Sequence, residues 1–200
     1  TFADDLSIHN SAVILDAAMQ LYMEKGAANV SIRKIADRIE YSPATIYLYY
    51  RNRDEIFCAL QNEVFAKFYE VLSDVMTVGE PLHRLQQGLN TYIRFAVENP
   101  ELYDIMFIMH APMRNRDPKE VPPMGVKSFG VLRDTIAVCI QQGVLLPGNA
   151  DVVAFTFWTH IHGIASLLIR QRLSIFSDEV RDTLIEASLN SMVKNYSTEK

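Results

Sequence analysis

The sequence predicts an all-α protein: an N-terminal three-helix unit of helix-turn-helix type, then a larger helical bundle, about nine helices in all. Three observations carry this. Apolar residues recur at i, i+3, i+4 and i+7 along most of the chain. Residues that cap or break helices (Ser31, Ser42, Pro43, Pro100, Ser177) stand at the joints between those stretches. No stretch alternates apolar and polar residues as a half-buried strand would, and no segment repeats.

The first helix is expected from about Ser7 to Lys25, with Ile14, Ala17, Ala18 and Leu21 on its core face and Gly26 as a left-handed cap. Ser31 caps a second helix whose apolar face is Ile32, Ile35, Ala36 and Ile39. Ser42 caps a third, with Pro43 at its first position, where a missing N–H costs nothing. Asn52 and Glu55 have the spacing of a capping box and open a long fourth helix to about Met76. Further helices are expected near 81–97, 100–110, 124–143, 150–171 and 178–195, with Pro100 separating the fifth from the sixth. Residues 111–123 hold four prolines and five charges and read as a surface loop. Leu146-Pro147-Gly148 is a turn, and Ser177 with Asp178 and Glu179 starts the last helix. The domain division is expected at 53/54: residues 1–53, then 54–200.

The chain has 200 residues, 49% of them hydrophobic, enough to bury a core without staples. Cys58 and Cys139 have no CxxC partners and read as reduced thiols of a cytoplasmic protein. Residues 1–12, with Asp4 and Asp5 and no basic start, do not read as a secretory leader. Between Asp151 and Arg170 lie 18 residues without a formal charge, but Thr156, Thr159, His160, His162 and Ser166 interrupt them. A helix buried on several sides fits them better than a membrane span. His160 and His162 point about 200° apart on a helix and have no partner set, so no metal is expected. No Ser/His/Asp arrangement, phosphate loop or HExxH is present, and neither an enzyme nor a cofactor is expected.

Net charge is −5, which by itself argues against a nucleic-acid partner. Its distribution reverses that. Residues 31–53 carry five basic side chains (Arg33, Lys34, Arg38, Arg51, Arg53) against Asp37 and Glu40. This positive island coincides with two short helices joined by a tight turn, the arrangement that presents a recognition helix to the major groove. With Ile46 inward, Pro43 and Tyr50 also turn in; Ala44, Thr45 and Leu48 turn out; Tyr47 and Tyr49 flank them. Thr can bond base edges, and Ala or Leu can touch a thymine methyl. Tyrosine hydroxyls and the Arg51 and Arg53 side chains can hold phosphates.

From ILDAAMQLYMEKG through SIRKIADRI to SPATIYLYYRNRDEI, the sequence resembles the tetracycline-repressor (TetR) family of transcriptional regulators. The resemblance implies an N-terminal DNA-binding domain, a C-terminal ligand-binding and dimerisation domain, and repression relieved by a small molecule. By position it implies DNA contacts from Arg33, Ala44, Thr45, Tyr47, Tyr49 and Arg53; the composition of the third helix adds Ser42 and Leu48. Glu40 stands where the family usually has Gly at the turn, so a left-handed backbone there would be strained.

In the second half, Phe155, Thr159, His162 and Ser166 mark one side of the eighth helix, and Phe157, Ile161, Ile164 and Leu168 another. The last helix repeats this, with Leu184 and Ala187 on one side and Ile185, Leu189, Met192 and Tyr196 on another. Two apolar faces per helix imply a homodimer through the helices near 150–171 and 178–195. Trp158, His162 and Gly163 resemble the Trp-His-Gly signature of a TetR subgroup. Trp158 and His162 lie one turn apart and read either as core or as ligand wall. Tyr92, Phe95, Tyr103, Met106, Phe107, Met109, His110 and Phe129 join them as candidate lining for a small, mostly apolar or aromatic effector. The rival reading is an all-α adaptor or small-molecule carrier that does not bind DNA.

Overall fold

The computed structural model describes residues 2–77, 79–108 and 122–198. Among them are helices α1 (Phe2–Lys25), α2 (Ile32–Arg38), α3 (Pro43–Tyr47), α4 (Arg53–Met76), α5 (Pro81–Glu98), α6 (Pro100–Tyr103), α7 (Pro123–Gln141), α8 (Ala150–Ile169) and α9 (Asp178–Tyr196). No strand occurs among the described residues; one isolated bridge joins Leu145 to Ser197. The all-α class holds. α1 begins earlier than expected, and the sixth helix is short because its backbone widens into a π turn over Asp104–Ile108. Apart from residues 122 and 123, the Pro-rich segment lies outside the described residues, as do Met109 and His110.

The described residues pack as two compact units: residues 2–64 with 104–108 and 122, and residues 65–77 and 79–103 with 123–198. The division between these packed units falls inside α4, after Val64. The reason is in the side chains: Ile56, Phe57, Leu60 and Val64, from the first three turns of α4, are all fully buried in the first unit.

In the first unit, α1 packs on α2, and α2 on α3, around Ile14, Ala18, Ile35, Ala36 and Ile46. Caps set the helix boundaries. The Ser31 side chain accepts from the Lys34 N–H, and Asn52 accepts from the Glu55 N–H at 2.9 Å while the Glu55 carboxylate takes the Arg51 N–H. α2 ends in a left-handed turn. Glu40 has φ 57°, and the Tyr41 N–H reaches back to the Ala36 carbonyl at 2.9 Å, the long bond of a Schellman cap.

In the second unit, α5, α7 and α8 pack mutually, and α9 packs on α8. Phe157, Ile161 and Ala165 of α8 meet a core that includes Leu85, Leu89, Leu132 and Ile136. Gly88 lets α5 approach the end of α4: a Cβ there would collide with the buried Met76 side chain. The Leu146 N–H donates to the Tyr196 carbonyl, and the Thr198 N–H to that of Val144, pinning the end of α9 to the α7–α8 turn.

Candidate functional site

α3 is short, and every feature that builds it also shapes its surface. Ser42 Oγ accepts the Thr45 N–H at 3.1 Å, and Pro43 starts the first turn without a donor to satisfy. Ile46 is fully buried and Tyr50 nearly so, with its hydroxyl 2.7 Å from Ser11 Oγ. Burial pushes the Tyr50 phenol up and keeps it neutral. Those anchors leave Ala44, Tyr47 and Leu48 exposed side by side; Leu48 is 81% exposed. Arg33 and Arg51 are exposed nearby in sequence.

Three side chains depart from the sequence-based assignment. Pro43 is exposed, because only five residues keep α geometry and its ring sits at the entrance. Thr45 is half-buried, and its hydroxyl shares a 2.9 Å hydrogen bond with Ser42 Oγ, so the outward face is Ala44, Tyr47 and Leu48. Arg53, expected as a phosphate clamp, is turned onto its own unit. Its Nε donates to the Val30 carbonyl at 2.7 Å, a terminal N–H donates to the Ala27 carbonyl, and the guanidinium lies 4.6 Å from the Phe57 ring centre. It ties α4 to the α1–α2 connection.

Sequence reading missed the support behind α3. The Asn10 amide donates to the Tyr49 hydroxyl at 2.9 Å, and the Tyr41 hydroxyl donates to Asn10 Oδ1 at 2.9 Å. The signal was there: Asn10 and Ser11 stand four and three residues before Ile14, so polar groups occupy the inward face of α1.

The second unit gathers six of the ligand candidates. Tyr103 and Tyr92 place their hydroxyls 2.7 and 3.0 Å from His162 Nδ1. Tyr103 stacks on the imidazole at 5.4 Å, and the Trp158 ring lies 5.9 Å from it. Phe129 meets Trp158 edge-on at 6.0 Å. Phe95 joins through Phe68, which contacts both Phe95 and Tyr92. Phe68 was not among the candidates, although Val64, Phe68, Leu72 and Met76 follow one helical stripe. Burial lowers the His162 pKa and raises that of Tyr92, so the cluster is neutral around pH 7. A neutral imidazole has one acceptor and one donor nitrogen, so this is a polar point inside an apolar, aromatic wall. Met106 and Phe107 lie on the π turn in the first unit; Met106 is buried, and its carbonyl accepts from Gln61 at 2.8 Å. His110 lies outside the described residues.

Residues 14–60 match the family model "Bacterial regulatory proteins, tetR family", and residues 85–192, more than half of the chain, match "Tetracyclin repressor-like, C-terminal domain". The chain belongs to the tetracycline-repressor family. The N-terminal TetR match contains α2 and α3 entire; the C-terminal one contains Tyr92, Tyr103, Trp158 and His162. This TetR-family chain is 31% identical over 90 residues to an uncharacterized HTH-type transcriptional regulator of Mycobacterium tuberculosis, a stretch covering 44% of this chain and 45% of that protein. The chain thus spans under half the length of that relative. Its fold is like that of a Rhodococcus sp. RHA1 protein of unknown function (TM-score 0.79, 21% identity, 94% of this chain and 95% of the other). It is also like that of the transcriptional regulator FadR from Bacillus subtilis in complex with stearoyl-CoA (TM-score 0.70, 18% identity, 91% and 97%).

Proposed function

We propose that this chain is a ligand-responsive transcriptional regulator, a repressor that binds a near-palindromic operator as a homodimer and leaves it when a small, mostly apolar effector binds. The observation that carries the reading is the α3 surface: Ala44, Tyr47 and Leu48 are held outward by a buried Ile46 and Tyr50 on a locally basic segment. α3 would enter the major groove; Arg33, Ser42, Tyr49 and Arg51 would meet the backbone. Residues 1–53 do the reading, and 54–200 the sensing and pairing.

Support for the homodimer comes from α8 and α9. α8 is long and apolar enough to cross a membrane by length and composition; it packs on α5, α7 and α9 and still leaves apolar residues uncovered. On its outward side Val152, Phe155 and Leu167 are exposed, and α9 exposes Val180 and Leu184. A second copy would cover both helices, and a Cβ at the intervening Gly163 would meet nothing in the single chain. Support for an apolar effector comes from the Tyr92–Tyr103–His162–Trp158 cluster, and from a structural neighbour that holds an acyl thioester. Release from the operator requires the effector to bind better to a subunit arrangement whose α3 helices miss the half-site spacing.

The test is selection from a random duplex pool with the full chain. The reading requires enrichment of inverted half-sites roughly 10 base pairs apart, centre to centre, or a multiple of that. Retention of duplexes without any enriched sequence overturns it.

A further inference from the structure

The DNA-reading surface rests on a polar contact that its exposed residues do not show. We infer that Asn10, buried in no groove and remote in sequence, is a positioning residue for DNA binding: it holds the Tyr49 hydroxyl with its oxygen occupied and its proton free to serve a phosphate. The inference rests on the proposed reading of α3.

Donors and acceptors decide which arrangement can serve a phosphate. A phosphate oxygen only accepts. A tyrosine hydroxyl serves it only by donating, so any other partner of that hydroxyl must donate to the tyrosine. Asn10 is arranged to do that. Its Nδ2–H points at the Tyr49 oxygen at 2.9 Å, and its Oδ1 takes the proton of Tyr41 at 2.9 Å. With Oδ1 occupied by Tyr41, the amide presents its N–H side to Tyr49. An N–H donated into a phenol oxygen also polarises the O–H and strengthens it as a donor.

Position agrees. Tyr49 is half-exposed in the turn that ends α3, next to the 81% exposed Leu48 and beside exposed Arg51 and Asn52. Its backbone is held as well: the Tyr49 N–H donates to the Ile46 carbonyl at 3.0 Å, one turn back on the buried anchor. The neighbouring Ser11–Tyr50 bond does the structural part of the same job, since Tyr50 is buried and Tyr49 is not. α1 therefore holds two consecutive tyrosines by two consecutive residues, one for packing and one for contact.

Asn10→Asp discriminates between support and proton placement. It preserves size and still accepts from Tyr41, so the fold is kept. It can only accept, so it draws the Tyr49 proton inward. The experiment measures affinity for the duplex enriched by the native chain, for Asn10→Ala, Asn10→Asp, Tyr49→Phe and the double variant Asn10→Ala/Tyr49→Phe, with melting curves for each. A lost hydrogen bond to a charged phosphate corresponds to a roughly tenfold weakening. Expected is that loss for Asn10→Ala, Asn10→Asp and Tyr49→Phe alike, with no further loss when Asn10→Ala is added to Tyr49→Phe. A melting midpoint unchanged in Asn10→Asp, with affinity still lost, separates positioning from stability. Native-like binding by both Asn10 variants, or an Asn10→Ala loss that persists undiminished in the Tyr49→Phe background, overturns the inference while leaving DNA binding intact. If the native chain enriches no duplex, the reading of α3 falls, and this inference with it.

Discussion

The α3 surface and the ring cluster around His162 are built in opposite ways. The α3 surface lies within one contiguous stretch, is exposed, and is fixed by short-range caps, with support from Asn10 and Ser11 of α1. The ring cluster draws Phe68, Tyr92, Tyr103, Phe129 and Trp158 from five helices, and its polar atoms bond one another. A surface that reads DNA meets its partner outside the fold, so its residues can be spared by the core. A site that recognises an apolar molecule is made of core residues, and altering it alters stability. The comparison predicts that substitutions in the second unit cost stability first, and those on α3 cost affinity first.

The largest effect tests that asymmetry. Tyr103→Ala empties a fully buried aromatic position and should cost about 3–5 kcal/mol, a melting point lower by roughly 10 °C. At a temperature where the variant is folded, affinity for a selected duplex should stay native. An equal loss of affinity would break the comparison. Arg53→Ala comes next, with about 2–3 kcal/mol lost with two carbonyl bonds and the contact over Phe57. Its salt dependence decides the role. A phosphate contact contributes about 0.9 to the slope of log affinity against log salt; the structure predicts an unchanged slope and a lower melting point.

Glu40→Gly runs the other way. Glu40 has φ 57°, and relieving a left-handed non-glycine should raise stability by about 1 kcal/mol, visible as a melting point higher by a few degrees. An unchanged or lower midpoint would deny the strain. The smallest effect is a pH dependence. Burial lowers the folded pKa of His162, so the unfolded chain binds the proton more readily. The resulting stability is fully present above the unfolded value and declines as pH falls below it. Between pH 7.5 and 5.5 the native melting point should fall more steeply than that of His162→Gln; parallel curves would mean that His162 carries none of the pH dependence.

Legibility followed the same divide. Ser31, Ser42, Pro43, Asn52 and Ile46 announce α2, α3 and the start of α4, because caps and periodicity act within a few residues. Glu40 was readable as the strained turn for the same reason. Arg53 was not: whether a guanidinium faces solvent or two carbonyls 23 and 26 residues earlier depends on tertiary placement. Thr45 was legible only in type, since a hydroxyl that could serve a base bonds Ser42 here and leaves the side chain half-buried. In the second unit the two sides of α8 and α9 were readable, with Phe157, Ile161, Leu189 and Met192 buried and Phe155 and Leu184 exposed. The convergence of Tyr92, Tyr103 and His162 across 70 residues was readable only as a list of aromatic and polar types. The π turn after Tyr103 carries no signal in spacing, and it shortened the sixth helix.

If α3 reads base sequence through Ala44, Tyr47 and Leu48, a change at the most exposed of the three changes the sequence preferred. The most direct measurement repeats the duplex selection with Leu48→Gln beside the native chain. The preferred bases should change at one position in each half-site, symmetrically, while the spacing of the half-sites stays fixed. An identical preference in both selections would contradict it.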